Sequence, residues 1–126
     1  MLSTVIIDDE VNPILGLIDL LNAFSSINIV GTSTNLEEGV ALIKATQPDI
    51  VFIDINMPGR SGLEIYDEFE SPYFKIIFCT SNQHFTMSEL RKSASGYLLK
   101  PVDINILHHI LQKVYDELLY EQKLQK

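Results

Sequence analysis

Residues 50–59 read Ile50-Val51-Phe52-Ile53-Asp54-Ile55-Asn56-Met57-Pro58-Gly59, and the first five of them decide the fold. Ile50 to Ile53 are all apolar, with no polar residue alternating between them. A strand wetted on one face alternates apolar with polar, whereas a strand covered on both faces runs apolar throughout, as in a parallel sheet. The run stops abruptly on a carboxylate, Asp54.

The same kind of run recurs along the chain. Val5-Ile6-Ile7, Ile76-Ile77-Phe78 and Tyr97-Leu98-Leu99 repeat it, and Ile27-Asn28-Ile29-Val30 repeats it more weakly. Segments of helical period lie between these runs. Pro13 to Phe24 places Leu17, Ile18 and Leu21 on one stripe, with Pro13 tolerated in the first turn. Asn35, followed by Glu38, predicts an N-cap opening a helix through Ala45. Gly62 to Phe69 predicts a short third helix and Phe85 to Ser93 a weaker fourth. Asp103 is placed to cap a last helix whose core stripe is Leu107, Ile110, Leu111, Val114 and Leu118. Strand and helix alternate five times, and right-handed crossovers turn that order into a doubly wound α/β sheet.

Composition narrows the function classes. The 126 residues are one domain's worth of chain, and 46% apolar content excludes a disordered segment. A net charge of −8 argues against direct nucleic-acid binding. The charge is uneven: residues 1–70 carry 12 acids and 2 bases, and residues 71–126 carry 5 acids and 7 bases. Cys79 is the lone cysteine and reads as a buried thiol in an apolar run. No apolar stretch is long enough to span a membrane, and the N-terminus lacks the positive flank of a signal peptide, so a cytoplasmic protein is expected.

In doubly wound sheets, ligands bind beyond the carboxyl ends of the strands. Those ends are Asp8-Asp9-Glu10, Asp54, Thr80-Ser81 and Lys100-Pro101. Asp8, Asp9 and Asp54 with Lys100 sum to −2, and like charges held close disfavour one another's ionisation. A divalent cation would neutralise them. All-oxygen donors without a Cys/His set suit Mg²⁺ rather than zinc. Lys100 and Thr80 offer a charge and a hydroxyl to a phosphate, and an aspartate can itself become an acyl phosphate.

Asp8-Asp9, Asp54 to Gly59, Thr80-Ser81 and Tyr97-Leu98-Leu99-Lys100-Pro101, in this order over about residues 3–115, resemble the receiver domain of two-component response regulators. The resemblance implies a flavodoxin-like three-layer (βα)5 fold with strand order 2-1-3-4-5. It makes Asp54 the acceptor of a phosphoryl group from a sensor histidine kinase. Asp9 would be the direct Mg²⁺ ligand (with Mn²⁺ as an alternative), Asp8 a partner acting through water, and Asn56 a ligand through its backbone carbonyl, its side chain mattering less. Lys100 and Thr80 would bind the phosphoryl group, Thr80 and Tyr97 would form the switch pair, and Pro101 would follow a cis peptide that aims Lys100 into the pocket. The readout would be the face formed by the fourth helical segment, the fifth strand and the last helix. Phosphorylation would promote homodimerisation there, with transcription controlled through a DNA-binding domain outside this chain.

Ile77 to Ser81, then Phe85, then Gly96 to Pro101, together with Met57-Pro58-Gly59 and Ser61-Gly62-Leu63-Glu64, further resemble receivers that precede a LytTR-type DNA-binding domain. Ser81 is a departure where receivers usually carry alanine or another small residue, although serine is still small. His108 and His109 are neighbours on a helix, point about 100° apart and read, with His84, as solvated surface residues. The whole of 1–126 is expected to be one domain, with 116–126 the end of the last helix or a linker. Two other readings stand beside this one. A degenerate receiver would act only as an interaction domain. A phosphatase of the haloacid-dehalogenase type would want a second acid two positions after Asp54, where this chain has Asn56.

Overall fold

The computed structural model describes residues 1–81 and 94–124. Five parallel strands form one sheet: β1 (Leu2–Ile7), β2 (Ile27–Ser33), β3 (Ile50–Asp54), β4 (Lys75–Thr80) and β5 (Ala94–Leu99), in the order β2-β1-β3-β4-β5. The helices are α1 (Val11–Leu21), α2 (Leu36–Thr46), α3 (Ile65–Glu68) and α4 (Ile104–Leu124). The doubly wound α/β fold expected from the apolar runs is the one observed. The weak fourth helix expected at Phe85–Ser93 lies outside the described residues.

Alternate strand residues feed two cores. Val5, Ile7, Val51, Ile53, Ile76 and Phe78 pack on one side of the sheet with Leu36, Val40 and Ile43 of α2. Ile6, Ile50, Phe52, Ile77, Cys79 and Leu98 pack on the other with Leu17 of α1 and Leu107, Leu111 and Val114 of α4. Every residue of β3 is buried, which is why its sequence shows no alternation. The edge strand β2 does alternate between half-buried and exposed positions, which accounts for its weaker signal.

The boundaries differ from expectation where local chemistry intervenes. Helix α1 starts at Val11, so Pro13 falls in its first turn, and it ends at Leu21 rather than Phe24. Asn35 caps α2 by accepting from the Glu38 N–H at 2.8 Å. The expected third helix is a 3₁₀ turn, Gly62–Glu64, running into the single turn of α3. Ser61 and Glu64 close a reciprocal capping box there. Asp103 caps α4 through the N–H groups of Asn105 and Ile106, and the helix continues to Leu124. Among the described residues no helix is long and apolar enough to cross a membrane.

Candidate functional site

The parallel register lines up the carboxyl ends of the central strands. Ile7 pairs with Ile53, Asp54 with Cys79, and Thr80 with Leu99, so Asp8, Asp54, Thr80 and Lys100 emerge along one edge. Backbone hydrogen bonds hold these ends in place: Ile55 N–H donates to the Cys79 carbonyl at 3.0 Å, and Lys100 N–H to the Thr80 carbonyl at 2.9 Å. Gly62 secures the loop after β3 by donating to the Ile55 carbonyl at 2.9 Å.

Three carboxylates converge at this edge. Asp8, Asp9 and Asp54 each offer an oxygen, and these oxygens lie within 4.8 Å of one another. Asp8 and Asp54 are buried and Asp9 is half-buried. Lys100 reaches both buried acids, at 2.7 Å from Asp8 Oδ2 and 3.3 Å from Asp54 Oδ2. The peptide between Lys100 and Pro101 is cis. Burial, with the neighbouring Asp8 charge, pushes the Asp54 carboxyl up to about 6, against the opposing pull of Lys100 and the Asn56 N–H. One ammonium does not offset that burial. The donor set is all oxygen, carries a surplus of negative charge and lies at the surface end of a sheet, which fits a hard divalent cation such as Mg²⁺.

Thr80 is buried at the end of β4, and its hydroxyl accepts a hydrogen bond from Asn56 Nδ2 at 3.0 Å. The Asn56 backbone N–H donates to Asp54 Oδ1 at 3.2 Å. The Asn56 side chain, expected to matter less than its carbonyl, therefore links the loop after β3 to Thr80. Tyr97 is half-buried against the core that contains Phe78. The Tyr66 hydroxyl is buried with no hydrogen-bond partner among the described residues, and burial together with the nearby Tyr97 raises it to about 12. Cys79 is buried in the core at the cavity lining, and burial raises its thiol to about 12, as expected of an inert core cysteine. His108 and His109 are exposed on α4.

Two features had no sequence signal. A Cβ on Gly62 would lie 2.2 Å from the Asp54 carbonyl oxygen, so only glycine allows the loop to fold back onto the strand end. A cavity of about 630 Å³ also opens between Asp8, Asp54 and Lys100 and extends along Pro13, Gly16 and Leu17 of α1.

An α/β sheet whose strand ends gather three aspartates, a lysine and a threonine defines a class of phosphate-handling signalling domains. The response regulator receiver domain family matches residues 4–112, and the chain belongs to this family. It is similar to the transcriptional regulatory protein BtsR of Escherichia coli K12, 35% identical over 120 residues, which cover 93% of this chain and 49% of BtsR. It is 32% identical over 102 residues to the nitrate/nitrite response regulator protein NarL of the same organism, covering 78% of this chain and 47% of NarL. Among solved structures, the receiver domain of AraT, a response regulator from Geobacillus stearothermophilus, superposes with a TM-score of 0.83 at 26% identity, covering 96% of this chain and 98% of that one. The chain thus spans about half the length of these curated relatives.

Proposed function

We propose that this receiver takes a phosphoryl group onto Asp54 from the phosphohistidine of a sensor histidine kinase. The observation that carries the reading is the buried Asp54 carboxylate, bridged by Lys100 to Asp8 at the mouth of an open cavity. A carboxylate oxygen of Asp54 would bond to phosphorus as the P–N bond breaks, and the imidazole would leave with the bonding pair and take up a proton. Lys100 and the Thr80 hydroxyl would bind the phosphoryl oxygens, since phosphorylation adds nearly two negative charges to this edge. Asp9 and Asp54, the Asn56 carbonyl and, through water, Asp8 would hold Mg²⁺. When bound, that ion supplies charge neutralisation for the incoming phosphoryl group. Val11 and Leu15 are exposed apolar residues on α1, the helix whose Pro13, Gly16 and Leu17 line the cavity, and they support a protein donor rather than a free metabolite alone.

Tyr97 would follow Thr80 as the switch residue, and the whole of 1–126 is taken as one receiver unit in a cytoplasmic setting. Phosphorylation-dependent homodimerisation and control of transcription through a further domain belong to the same proposal. Exposed Tyr115 and Leu119, four residues apart on α4, support an association surface there. For the finer LytTR assignment the support is the sequence resemblance alone, in the runs Ile77–Ser81 and Gly96–Pro101 and the segments Met57–Gly59 and Ser61–Glu64. Relatives that include both BtsR and NarL do not favour it over other output classes.

The test is incubation with acetyl phosphate and Mg²⁺ followed by intact mass. A single phosphoryl adduct that disappears in Asp54→Asn is expected. Continuous turnover of an external phosphomonoester would support the phosphatase reading instead, and no adduct in the native chain would support a degenerate receiver.

A further inference from the structure

Asn56 touches both halves of the site: its N–H donates to Asp54 Oδ1 at 3.2 Å, and its side-chain amide donates to Thr80 Oγ1 at 3.0 Å. The backbone of Thr80 is tied into the sheet. Thr80 is paired with Leu99 in the sheet, and its carbonyl accepts from Lys100 N–H at 2.9 Å. Any approach of the hydroxyl to a group on Asp54 must therefore come mainly from rotation about one side-chain bond, and a β-branched residue is stiff there.

We propose that the Asn56 amide is a latch that holds the Thr80 hydroxyl in its unphosphorylated position, and that its release sets how readily the site engages a phosphoryl group. The inference rests on Asp54 being the phosphoacceptor. Asn56 is then a positioning residue: it acts on phosphoryl binding through Thr80. The amide sits on the exposed loop after β3, whereas Thr80 is 3% exposed, so the latch can open without disturbing the core. An ordinary intramolecular hydrogen bond to a neutral hydroxyl corresponds to about a two- to tenfold bias in such an equilibrium.

The experiment is titration calorimetry with beryllofluoride, a stand-in for the phosphoryl group, at saturating Mg²⁺ in four proteins: native, Asn56→Ala, Thr80→Val and the double variant. The latch predicts that Asn56→Ala binds about two- to tenfold more tightly than native. In the Thr80→Val background, where no hydroxyl remains to be held, the same substitution should have no effect. Asn56→Ser, one bond shorter, should reproduce the gain. Weakened or unchanged binding in Asn56→Ala overturns the proposal, because the amide would then be helping the anion or doing nothing. An equal gain with and without the Thr80 hydroxyl overturns it too, since the effect would not pass through Thr80. If the native chain forms no adduct with acetyl phosphate and binds no beryllofluoride, the phosphoacceptor reading itself fails. An adduct without the predicted coupling leaves that reading intact and removes only the latch.

Discussion

Two clusters in this molecule have the same formal composition, three carboxylates and one cation, and opposite character. In the pocket, Asp8, Asp9 and Asp54 face Lys100. On the surface, Glu37, Glu64 and Glu68 surround Arg60 at 3.2–3.3 Å. The side chains of Asp8 and Asp54 are each 6% exposed, whereas that of Glu37 is 64% exposed. Burial holds Asp54 up at about 6, while the Glu37 backbone N–H and Arg60 hold the Glu37 carboxyl below its ordinary value. The guanidinium presents several donors in a planar fork and can satisfy its acids one by one, with water serving the rest. One ammonium cannot do the same for buried acids. The pocket is electrostatically unfinished, and an unfinished site is one that a cation and a phosphoryl group can complete.

The sharpest way to break this contrast is to remove the unfinished acid. Asp54→Asn should abolish the phosphoryl adduct in the acetyl phosphate and mass assay, whereas Glu68→Gln in the surface cluster should leave it in place. Any residual stoichiometric adduct in Asp54→Asn would mean that the nucleophile had been misassigned.

A stability measurement reads the same frustration without chemistry. The Asp54 carboxyl moves from 3.8 to about 6 on folding, so the native state binds its proton more tightly than the unfolded chain does. Asp54's contribution to the stability of the metal-free protein should therefore fall as pH rises from about 4 to about 6 and stay lower above that, by up to about 3 kcal/mol. Asp54→Asn should remove most of that fall and be the more stable protein at pH 7.5. Mg²⁺ should narrow the gap by binding only the folded native pocket. Urea melts at several pH values with EDTA or Mg²⁺ decide it. A native chain as stable as Asp54→Asn in EDTA at pH 7.5 would show that the pocket carries no such strain.

Gly62→Ala tests the scaffold of the pocket rather than its charge. The added methyl would meet the Asp54 carbonyl oxygen and the Ile53 side chain, so strand end and loop must separate. A cost of roughly 1–3 kcal/mol in the same melts is expected, together with slower phosphorylation from acetyl phosphate. Gly16→Ala is the control, since nothing lies within 4 Å of a Cβ there. Equal behaviour of the two variants would overturn the account.

The pocket was legible in the sequence for a physical reason. In a parallel sheet, a residue that follows an apolar run must emerge at the ligand edge, so Asp8, Asp54, Thr80 and Lys100 could be placed without knowing any side-chain geometry. The surface cluster was not legible. Arg60 meets Glu37 across 23 positions because the capping box at Ser61 turns the loop toward α2, and that turn has no period to read. Gly62 was hidden similarly, since its role depends on a close approach between two backbones. The Asn56 amide was passed over because only its carbonyl figured in the resemblance, whereas the hydrogen bond to Thr80 depends on loop conformation.

The smallest effect should come from the finished cluster. Arg60 lies on the loop that runs from Asp54 to Gly62, which invites the idea that it braces the pocket. Its partners argue otherwise. Every carboxylate it touches is partly or largely exposed, and water competes for each bond. The capping box and the Gly62–Ile55 hydrogen bond hold the loop independently of the guanidinium. Arg60→Ala should therefore lower stability by less than Gly62→Ala does, and the loss should shrink further in added salt as the ion pairs are screened. The phosphorylation rate should stay close to native. A rate loss as large as that of Gly62→Ala would mean that the two clusters are mechanically joined and that the surface network helps set the geometry at Asp54.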